Sequence, residues 1–255
     1  MTQNATRGNS TTVTVSVVSH GHGHLVSRLL SDLARCSEIE RVILTLNVAE
    51  PNLESEVSGR VCVLKNSKPK GFGANHNAAF QVIESPYFAV VNPDIRLGLN
   101  PFPALLACLK EPAVAMCAPG VVNSVGARED SVRHFPTPFG LFKKAFGMLD
   151  GRLEYPTDDR PFVAPWVAGM FMLFRSTDFA AVGGFDEEFF LYYEDVDLCA
   201  RIWDHGKAVM CCPRACVTHD ARRASHRSLR HMAWHARSMV RFFRKHPGRS
   251  GPEVA

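Results

Sequence analysis

Short apolar runs alternate with helical patterns along the first half of the chain. The valine-rich run 13–19 ends before a glycine-rich segment, and Leu25, Leu29 and Leu33 then follow at helical spacing. Further strands are predicted at 41–47, 60–66, 87–92 and 114–122, with helices at 73–84 and 101–110. Strands that alternate with helices predict an α/β fold, with a Rossmann-like, mostly parallel central sheet flanked by helices.

The regular alternation stops near Asn123. From there to Pro165 the chain is rich in proline, glycine, phenylalanine and charge without a clear period, which predicts long loops that cover or line a site. Helical patterns return at 176–184 and 193–206, and each of them ends at glycine. A late strand is predicted at 207–213.

The last predicted element is an amphipathic, basic helix over 225–246. Its apolar residues share one helical stripe, namely Leu229, Met232, Ala233, Ala236, Val240 and Phe243. The net charge of the chain is only +4, but residues 214–249 carry ten Lys or Arg side chains against one acid, Asp220. This excess predicts an anionic partner, either a membrane surface, a phosphorylated substrate or nucleic acid. Because no RNA- or DNA-binding motif accompanies the charge, nucleic acid is not expected.

Composition allows a globular protein with a real core. The chain has 255 residues and 46% hydrophobic content, enough for one large α/β domain or two small ones. No apolar run of roughly eighteen residues occurs and the first residues lack a signal-peptide core, so we expect a cytoplasmic protein. The eight cysteines show no repeated C-x-x-C spacing, which predicts reduced buried thiols, with a zinc site in 211–216 as the alternative.

In open α/β sheets, ligands bind beyond the carboxyl ends of the strands. The first predicted strand is followed by His20, His22 and His24 at alternate positions. These histidines could share a metal ion in a straight segment, but the glycines between them favour a turn. We therefore interpret the segment as a flexible loop whose backbone approaches a base or ribose.

A basic, glycine-rich segment follows the third predicted strand and opens a helix. Lys68 and Lys70 precede the glycines, and Asn75 and Asn77 follow them. Free N–H groups and the helix dipole favour negative charge there, so the segment predicts a site for an anion or a sugar nucleotide. A tight turn capped by polar residues would give the same pattern.

Asp94, a lone carboxylate directly after proline, follows the fourth predicted strand. This side chain can bind a divalent ion that bridges two phosphates, or it can act as a turn residue or helix cap. His219, just past the late strand, is available as a neutral nitrogen ligand for the same ion, or is a surface histidine.

The segment 183–203 places acids among aromatic residues. Carboxylates held against aromatic walls resist ionisation and can accept protons near neutral pH. Glu194 and Asp195 also open a predicted helix, where acids complement the helix dipole. The pattern therefore predicts a general base, with a structural role as the alternative.

With these segments the chain resembles the inverting family-2 glycosyltransferases of GT-A fold, and within them the bacterial rhamnosyltransferase-like branch. The resemblance covers roughly 13–225 and rests on VSVVSHG, GFGANHNAAF, VVNPDIRL, WVAGMFMLFR, GGFDEEFFLYYEDVDLCAR and VTHDARRAS. It implies a nucleotide-sugar donor, a divalent metal ion (Mg²⁺ or Mn²⁺) and direct displacement at the anomeric carbon.

The resemblance also implies a division of the chain. A disordered terminus over 1–12 is expected to precede a GT-A domain over 13–225, followed by a basic helix and tail over 226–255. Within the domain, the nucleotide-binding half would cover about 13–122 and the acceptor and catalytic half about 123–225.

Specific site residues follow from the same resemblance. Asp94 matches the last aspartate of the D-x-D motif and would bind metal and diphosphate, with Asn92 at the first aspartate's place and His219 completing the metal site. Asp195 matches the catalytic base, with Glu194 as the alternative. The remaining implied residues are Ser19, His20, Gly21, Asn47, Lys70, Gly71 and Asn75 for the donor nucleotide, and Trp166 and Gly169 near the acceptor.

One departure from the family concerns the nucleotide base. Many relatives end the second strand on an aspartate that recognises the pyrimidine ring, whereas this chain has Asn47. Asparagine can still bond the imide edge, because its amide both donates and accepts.

The implied function is transfer of a sugar, favoured as L-rhamnose from dTDP-rhamnose, with a UDP-sugar as the other donor class. The acceptor would be a glycan or a lipid-diphosphate-linked glycan in bacterial cell-surface polysaccharide synthesis, such as O-antigen or capsule. The basic helix would contact anionic lipid at the inner membrane face, with Phe242 and Phe243 partly inserted. The alternatives are a sugar-nucleotide nucleotidyltransferase and a non-catalytic nucleotide-binding protein.

Overall fold

The computed structural model describes residues 11–56, 59–145, 151–219, 229–249 and 251. Its strands are β1 (Val13–Ser19), β2 (Ile39–Leu46), β3 (Val61–Lys65), β4 (Tyr87–Val91), β5 (Ile95–Arg96), β6 (Val114–Val122), β7 (Val132–Arg133), β8 (Phe162–Val163), β9 (Trp166–Val167), β10 (Phe171–Arg175) and β11 (Ala208–His219). Its helices are α1 (His24–Leu33), α2 (Pro51–Glu56), α3 (Phe72–Phe80), α4 (Phe102–Cys108), α5 (Pro138–Ala145), α6 (Ser176–Ala181), α7 (Glu194–Asp204) and α8 (Leu229–Lys245). The predicted terminus 1–12 lies outside the described residues except for its last two.

A mixed, mostly parallel sheet forms the centre of the molecule. Its strand order is β3-β2-β1-β4-β10-β6-β11-β5, with β8 also paired to β11. Strands β3, β2, β1 and β4 run parallel, as do β6 and β11, whereas β10 is antiparallel to both of its neighbours. The predicted α/β fold is confirmed. The prediction missed β10, a buried strand whose continuous apolar run lacks the alternation that marks a half-exposed strand.

Because β10 is antiparallel, its first residue lies at the edge of the sheet where β4 ends. Phe171 pairs with Val91, and the Asn92 N–H donates to the Met170 carbonyl at 2.9 Å. The segments that follow β1, β2, β3 and β4 and the segment that precedes β10 therefore meet at one edge of the sheet, where the sequence predicts a ligand site.

Hydrophobic clusters cover both faces of the sheet. Along β4, Ala89 and Val91 belong to one cluster, whereas Phe88 and Val90 belong to the other, because successive strand side chains point to opposite faces. The first cluster packs against α1 and α4, and the second holds residues of α3, α6 and α7, including the fully buried Phe179. Truncating such a buried phenylalanine costs about 3–5 kcal/mol.

The region 123–165 is more ordered than expected. It contains β7, β8 and α5 in addition to loops, so the prediction of long loops alone is wrong in this part of the chain. The short strands gain their hydrogen bonds from distant partners, β7 from β9 and β8 from β11, and such long-range pairing leaves little local pattern.

The predicted helix 73–84 is α3, which begins one residue earlier and ends at Phe80, while 193–206 is α7, which begins at Glu194. Gly183 and Gly206 follow α6 and α7 with φ of 76° and 68°. These left-handed angles explain why glycine ends both helices.

The cysteines are free thiols, mostly buried as predicted, although Cys62 and Cys216 are exposed.

Helix α8 packs on the second cluster and on the chain before α7 mainly through residues outside its predicted apolar stripe, of which Phe243 is partly buried. Phe242 is fully buried in the second cluster, and Ser238 donates to the Leu191 carbonyl at 2.9 Å. The expectation that Phe242 inserts into a membrane is therefore wrong, because its ring lies in the protein core. None of the described helices combines the length and the apolar character needed to cross a membrane.

Candidate active site

The first turn of α7 carries two adjacent carboxyl groups into a cavity. Glu194 and Asp195 follow Tyr192 and Tyr193, whose φ angles of 71° and 66° are unusual for residues with a side chain. Non-glycine residues in this left-handed region cost free energy and persist where the surrounding structure holds them. Here α8 supplies that support, since the Tyr192 hydroxyl lies 2.9 Å from His231 Nδ1.

Asp195 is held by two backbone N–H groups. Gly169 donates to Oδ2 at 2.9 Å and Val196 donates to Oδ1 at 2.8 Å. Burial raises the pKa of Asp195, and these donors act in the opposite direction because they stabilise the carboxylate. The side chain is half-buried and lines the cavity, so it combines an elevated proton affinity with access to a ligand.

Glu194 is more deeply buried, with 5% exposure, and its Oε2 has no hydrogen-bond partner among the described residues. Burial and the neighbouring Asp195 charge raise the pKa of Glu194 well above its ordinary value. Two adjacent buried carboxylates do not both ionise, and the one with N–H donors keeps the charge. We therefore assign the negative charge to Asp195 and the proton to Glu194.

The cavity beside these carboxyl groups has a volume of about 700 Å³. Trp166 lines it, and its indole N–H donates to the His134 carbonyl at 2.9 Å. Gly169 lies directly behind Asp195, where an added Cβ would come within 3.2 Å of the Phe72 ring. Residues of 123–165, among them Arg133 and Leu141, form one wall, so that region lines the site as predicted.

A second polar group forms around His219 at the end of β11. Its Nε2 lies 3.2 Å from Asp94 Oδ2, and its Nδ1 lies 2.6 Å from Glu129 Oε2. Pairing of β11 with both β5 and β6 brings these residues together, because Asp94 directly precedes β5 and the Glu129 N–H donates to the Val121 carbonyl of β6. The sequence predicted the Asp94–His219 pair and missed Glu129.

Burial by itself would lower the pKa of His219, but the hydrogen bonds and negative charges of Asp94 and Glu129 outweigh it and raise the pKa to about 9. Asp94 Oδ1 is buried and has no hydrogen-bond partner among the described residues. A carboxylate oxygen without a partner, next to an imidazole nitrogen, fits a divalent metal ion. No cluster of three or more His, Cys, Asp or Glu side chains suited to a metal occurs in the described part of the chain, so the donor's phosphates would have to complete the ligand shell.

The two polar groups meet at the same strand end. Asp195 accepts from the Gly169 N–H, and the adjacent Met170 accepts from the Asn92 N–H, two residues before Asp94. Asp94 is not among the residues that line the cavity containing Asp195. Asn92 thus connects the groups through its backbone.

The residues predicted to bind the donor nucleotide also come together, at the ends of β1, β2 and β3. Asn47 bonds both backbone groups of Lys70, accepting from its N–H at 2.8 Å and donating to its carbonyl at 3.0 Å. Asn66 donates to Asn47 at 2.8 Å and to Asn75 at 2.6 Å. The Asn47 amide is thus used within the protein, and base recognition by Asn47 stays a prediction.

The glycines at the start of α3 allow the close approach of another segment of the chain, in addition to any role in ligand binding. A Cβ at Gly71 would lie 2.6 Å from the Phe190 carbonyl oxygen, and a Cβ at Gly73 would lie 2.6 Å from Phe185 Cβ. The Phe72 N–H also donates to the Phe190 carbonyl at 3.0 Å. The prediction of free N–H groups at this helix start is wrong for Phe72, because the chain before α7 occupies it.

The loop after β1 is a closed turn and differs from the flexible loop expected. The Glu50 carboxylate accepts from the Gly21 N–H at 3.0 Å and from the Gly23 N–H at 2.9 Å. His20 Nδ1 lies 3.2 Å from the Asn47 amide, and Ser19 accepts from the His22 N–H at 3.3 Å. The loop therefore sits beside the Asn47–Lys70 contact with its glycine N–H groups already bonded.

Comparison with known proteins finds similarity to glycosyltransferases. A family profile described as the N-terminal domain of galactosyltransferase matches residues 159–227. The rhamnosyltransferase WbbL of Escherichia coli K12 is 27% identical over 249 residues, which cover 90% of this chain and 92% of that protein. The N-acetylglucosaminyl-diphospho-decaprenol L-rhamnosyltransferase of Mycobacterium tuberculosis is 32% identical over 163 residues, which cover 60% of this chain and 53% of that protein.

Two solved structures share the fold at low sequence identity. GalNAc-T7 with UDP, GalNAc and Mn²⁺ has a TM-score of 0.74 at 16% identity, covering 92% of this chain and 48% of that one. The mannosyltransferase PcManGT of Pyrobaculum calidifontis, with GDP-Man and Mn²⁺, has a TM-score of 0.65 at 13% identity, covering 94% of this chain and 66% of that one.

Proposed function

The chain is a glycosyltransferase of GT-A fold in the rhamnosyltransferase-like branch, and we propose that it transfers L-rhamnose from dTDP-rhamnose to a glycan acceptor with inversion at the anomeric carbon. The observation that carries this proposal is the junction of β4 and β10. There the Gly169 N–H donates to Asp195, and the Asn92 N–H, two residues before Asp94, donates to the carbonyl of the adjacent Met170. In-line displacement needs a proton acceptor on one side of the sugar and charge stabilisation on the other.

Asp195 is the proposed general base. It carries the negative charge of the carboxyl pair and faces a cavity large enough for a sugar, and its raised pKa gives it affinity for the acceptor hydroxyl proton. The Gly169 and Val196 N–H groups fix both carboxylate oxygens, which positions the base before substrate arrives. Trp166 forms part of the cavity wall in which the acceptor would lie.

Asp94 and His219 are the proposed metal ligands. The unpartnered Asp94 Oδ1 and the imidazole of His219 are the atoms that fit the ion. A divalent ion in that place, Mg²⁺ or Mn²⁺, neutralises the charge that the leaving diphosphate gains. Because the protein provides few ligands, we expect weak metal binding without the nucleotide.

The donor nucleotide is proposed to bind across the ends of β1 to β3. His20, Gly21 and Lys70 are the exposed residues of this set, whereas Ser19, Asn47, Gly71 and Asn75 are buried and would act by holding the exposed ones in place. The choice of a rhamnosyl donor rests on the rhamnosyltransferase relatives, and the choice of dTDP rests on the family resemblance.

The acceptor is proposed to be a lipid-diphosphate-linked glycan in bacterial cell-surface polysaccharide synthesis. The name of the mycobacterial relative gives that protein a decaprenol-linked diphospho-sugar as its acceptor. A lipid-linked acceptor would require the enzyme to work at a membrane surface, which we place at the inner face of the cytoplasmic membrane.

Donor turnover tests the proposal. With Mn²⁺ or Mg²⁺, wild-type protein should release dTDP from dTDP-rhamnose slowly by hydrolysis and faster with an acceptor glycan. Asp94→Asn should lose both reactions. Glu84 is exposed, so Glu84→Gln serves as a control that should keep both. The proposal fails if no nucleotide sugar raises the melting temperature of wild-type protein in the presence of metal, since a ligand of the native state must raise it.

A further inference from the structure

Helix α8 presents an apolar face to solvent. Leu229, Met232 and Val240 are 82%, 62% and 46% exposed, and Ala233 and Ala236 on the same face are also exposed. These five residues recur at three- and four-residue spacing, so they form one continuous outer face. An amphipathic helix on a globular protein ordinarily buries its apolar stripe, and an exposed one indicates an interaction surface.

Four of the five Lys and Arg residues of α8 fall into two groups, and the fifth, Arg230, lies over the Trp234 ring. Arg241 and Lys245 pair with Asp186 at 3.1 and 2.7 Å, and these contacts anchor the helix to the chain before α7. Arg237 and Arg244 are exposed instead, four residues after Ala233 and Val240 respectively, and thus border the outer apolar face. The helix contains no Asp or Glu. The acids that line the groove along α8 are Glu187 and Glu188, and they bond Asn77 and Arg241 respectively.

The same helix reaches the cavity that contains Asp195. His235 lines that cavity from α8, and Gly140 and Leu141 line it from α5. Helix α5 in turn exposes Phe139 and Phe142, by 66% and 57%. Exposed apolar side chains therefore occur on two helices that both border the proposed acceptor cavity.

We propose that the outer face of α8 docks on an anionic lipid bilayer, with Leu229, Met232 and Val240 entering the headgroup region and Arg237 and Arg244 contacting lipid phosphates. An apolar face bordered by arginine suits this partner, because insertion gains hydrophobic free energy and anionic lipid attracts the cations. Two copies paired through this face would bring their arginines together, which disfavours a symmetric dimer. The docking would place the cavity next to a lipid-linked acceptor, and this last step alone rests on the proposed function.

Co-sedimentation with vesicles tests the docking. Wild-type protein should bind vesicles of phosphatidylcholine with about 30% phosphatidylglycerol, bind phosphatidylcholine alone poorly, and dissociate as salt rises. Each of Arg237→Gln and Arg244→Gln should lower the partition coefficient about fivefold. Met232→Glu should lower it at least about tenfold, because it removes an apolar side chain that would enter the headgroup region and adds repulsion from the anionic lipid.

Leu99→Glu is the matched control, since Leu99 is 83% exposed and lies beside Leu97 of the cluster on the opposite face of the sheet. It should bind vesicles like wild type. Equal binding of all variants, or binding that does not depend on anionic lipid, would overturn the proposal, as would a dimer in vesicle-free solution that Met232→Glu dissociates. A thermal-shift titration with dTDP-rhamnose in vesicle-free buffer reports donor binding separately, so loss of docking and loss of the proposed function are distinguished.

Discussion

Glu129 Oε2 lies 2.6 Å from His219 Nδ1, on the opposite side of the imidazole from Asp94. A carboxylate in this position fixes the ring and its tautomer, so that Nε2 points at the ion that Asp94 would share. Carboxylate–histidine–metal arrangements of this kind raise the basicity of the ligand and set its orientation. Glu129 therefore belongs to the proposed metal site although it would not touch the ion.

Replacing Glu129 by glutamine should weaken metal binding. The amide keeps a hydrogen-bonding atom near Nδ1 but loses the charge, and losses of this type cost about 10- to 100-fold in metal affinity. Calorimetric titration of Mn²⁺ into protein saturated with dTDP measures the change without any turnover. Glu154→Gln is the control, because Glu154 is exposed and lines the same surface groove as Glu129. Equal Mn²⁺ affinity in Glu129→Gln and wild type would contradict the assignment.

Much of the site could be predicted because its polar residues follow apolar strands. Asn47 and Asp94 stand directly after such runs, and parallel strands bring their carboxyl ends to one edge of the sheet. Glu194 and Asp195 open an amphipathic helix whose period is clear in the sequence.

The residues that sequence reasoning missed act through contacts with distant parts of the chain. Glu129 meets His219 across 90 residues, and Glu50 meets Gly21 across 29, and neither lies in a periodic segment. The only sequence feature that could have indicated Glu129 and Glu50 is a negative charge in a loop. Many solvated acids share that feature. The glycines at the start of α3 were interpreted as part of an anion site for a related reason. Their close neighbours, Phe185 and Phe190, are distant in the sequence, so the packing contact could not be predicted.

The two carboxyl groups of α7 should respond differently to amide substitution. Asp195→Asn removes the proposed base and should lower turnover about 10²- to 10⁴-fold while donor binding persists. Glu194→Gln should keep most of the turnover, because an amide resembles the protonated carboxyl group that we assign to Glu194. Measuring kcat for transfer and the dissociation constant for dTDP-rhamnose in both variants checks this. If Glu194→Gln were the inactive variant, the roles of the two residues would be reversed.

Gly71 should be intolerant of a methyl group. Its Cβ would meet the Phe190 backbone oxygen at 2.6 Å, which a rotamer change cannot relieve, so we expect Gly71→Ala to lower the free energy of unfolding by about 1–3 kcal/mol. Gly98→Ala is a matched control, because a Cβ there meets nothing within 4 Å. Urea denaturation of both variants measures the difference. Similar midpoints for the two would show that the α3 and Phe190 segments separate easily.

His76 should make the protein sensitive to acid. Its ring is 1% exposed, and burial lowers the pKa of His76 to about 3. The folded protein therefore keeps this histidine neutral, while the unfolded chain takes up a proton below its ordinary pKa of 6.5. Its contribution to stability is thus fully present above pH 6.5 and is lost as the pH falls towards 3, by about 1.4 kcal/mol per pH unit.

His76→Gln isolates this effect, because glutamine stays neutral at every pH and can still bond the Ser16 hydroxyl that lies 2.8 Å from His76 Nδ1. Unfolding free energies of wild type and variant, measured in urea between roughly pH 7.5 and pH 4.5, give a difference from which other titrating groups cancel. That difference should shift steadily in favour of the variant below pH 6.5. A difference that stays constant with pH would mean that His76 is protonated within the fold, which requires water or an anion to reach its Nε2.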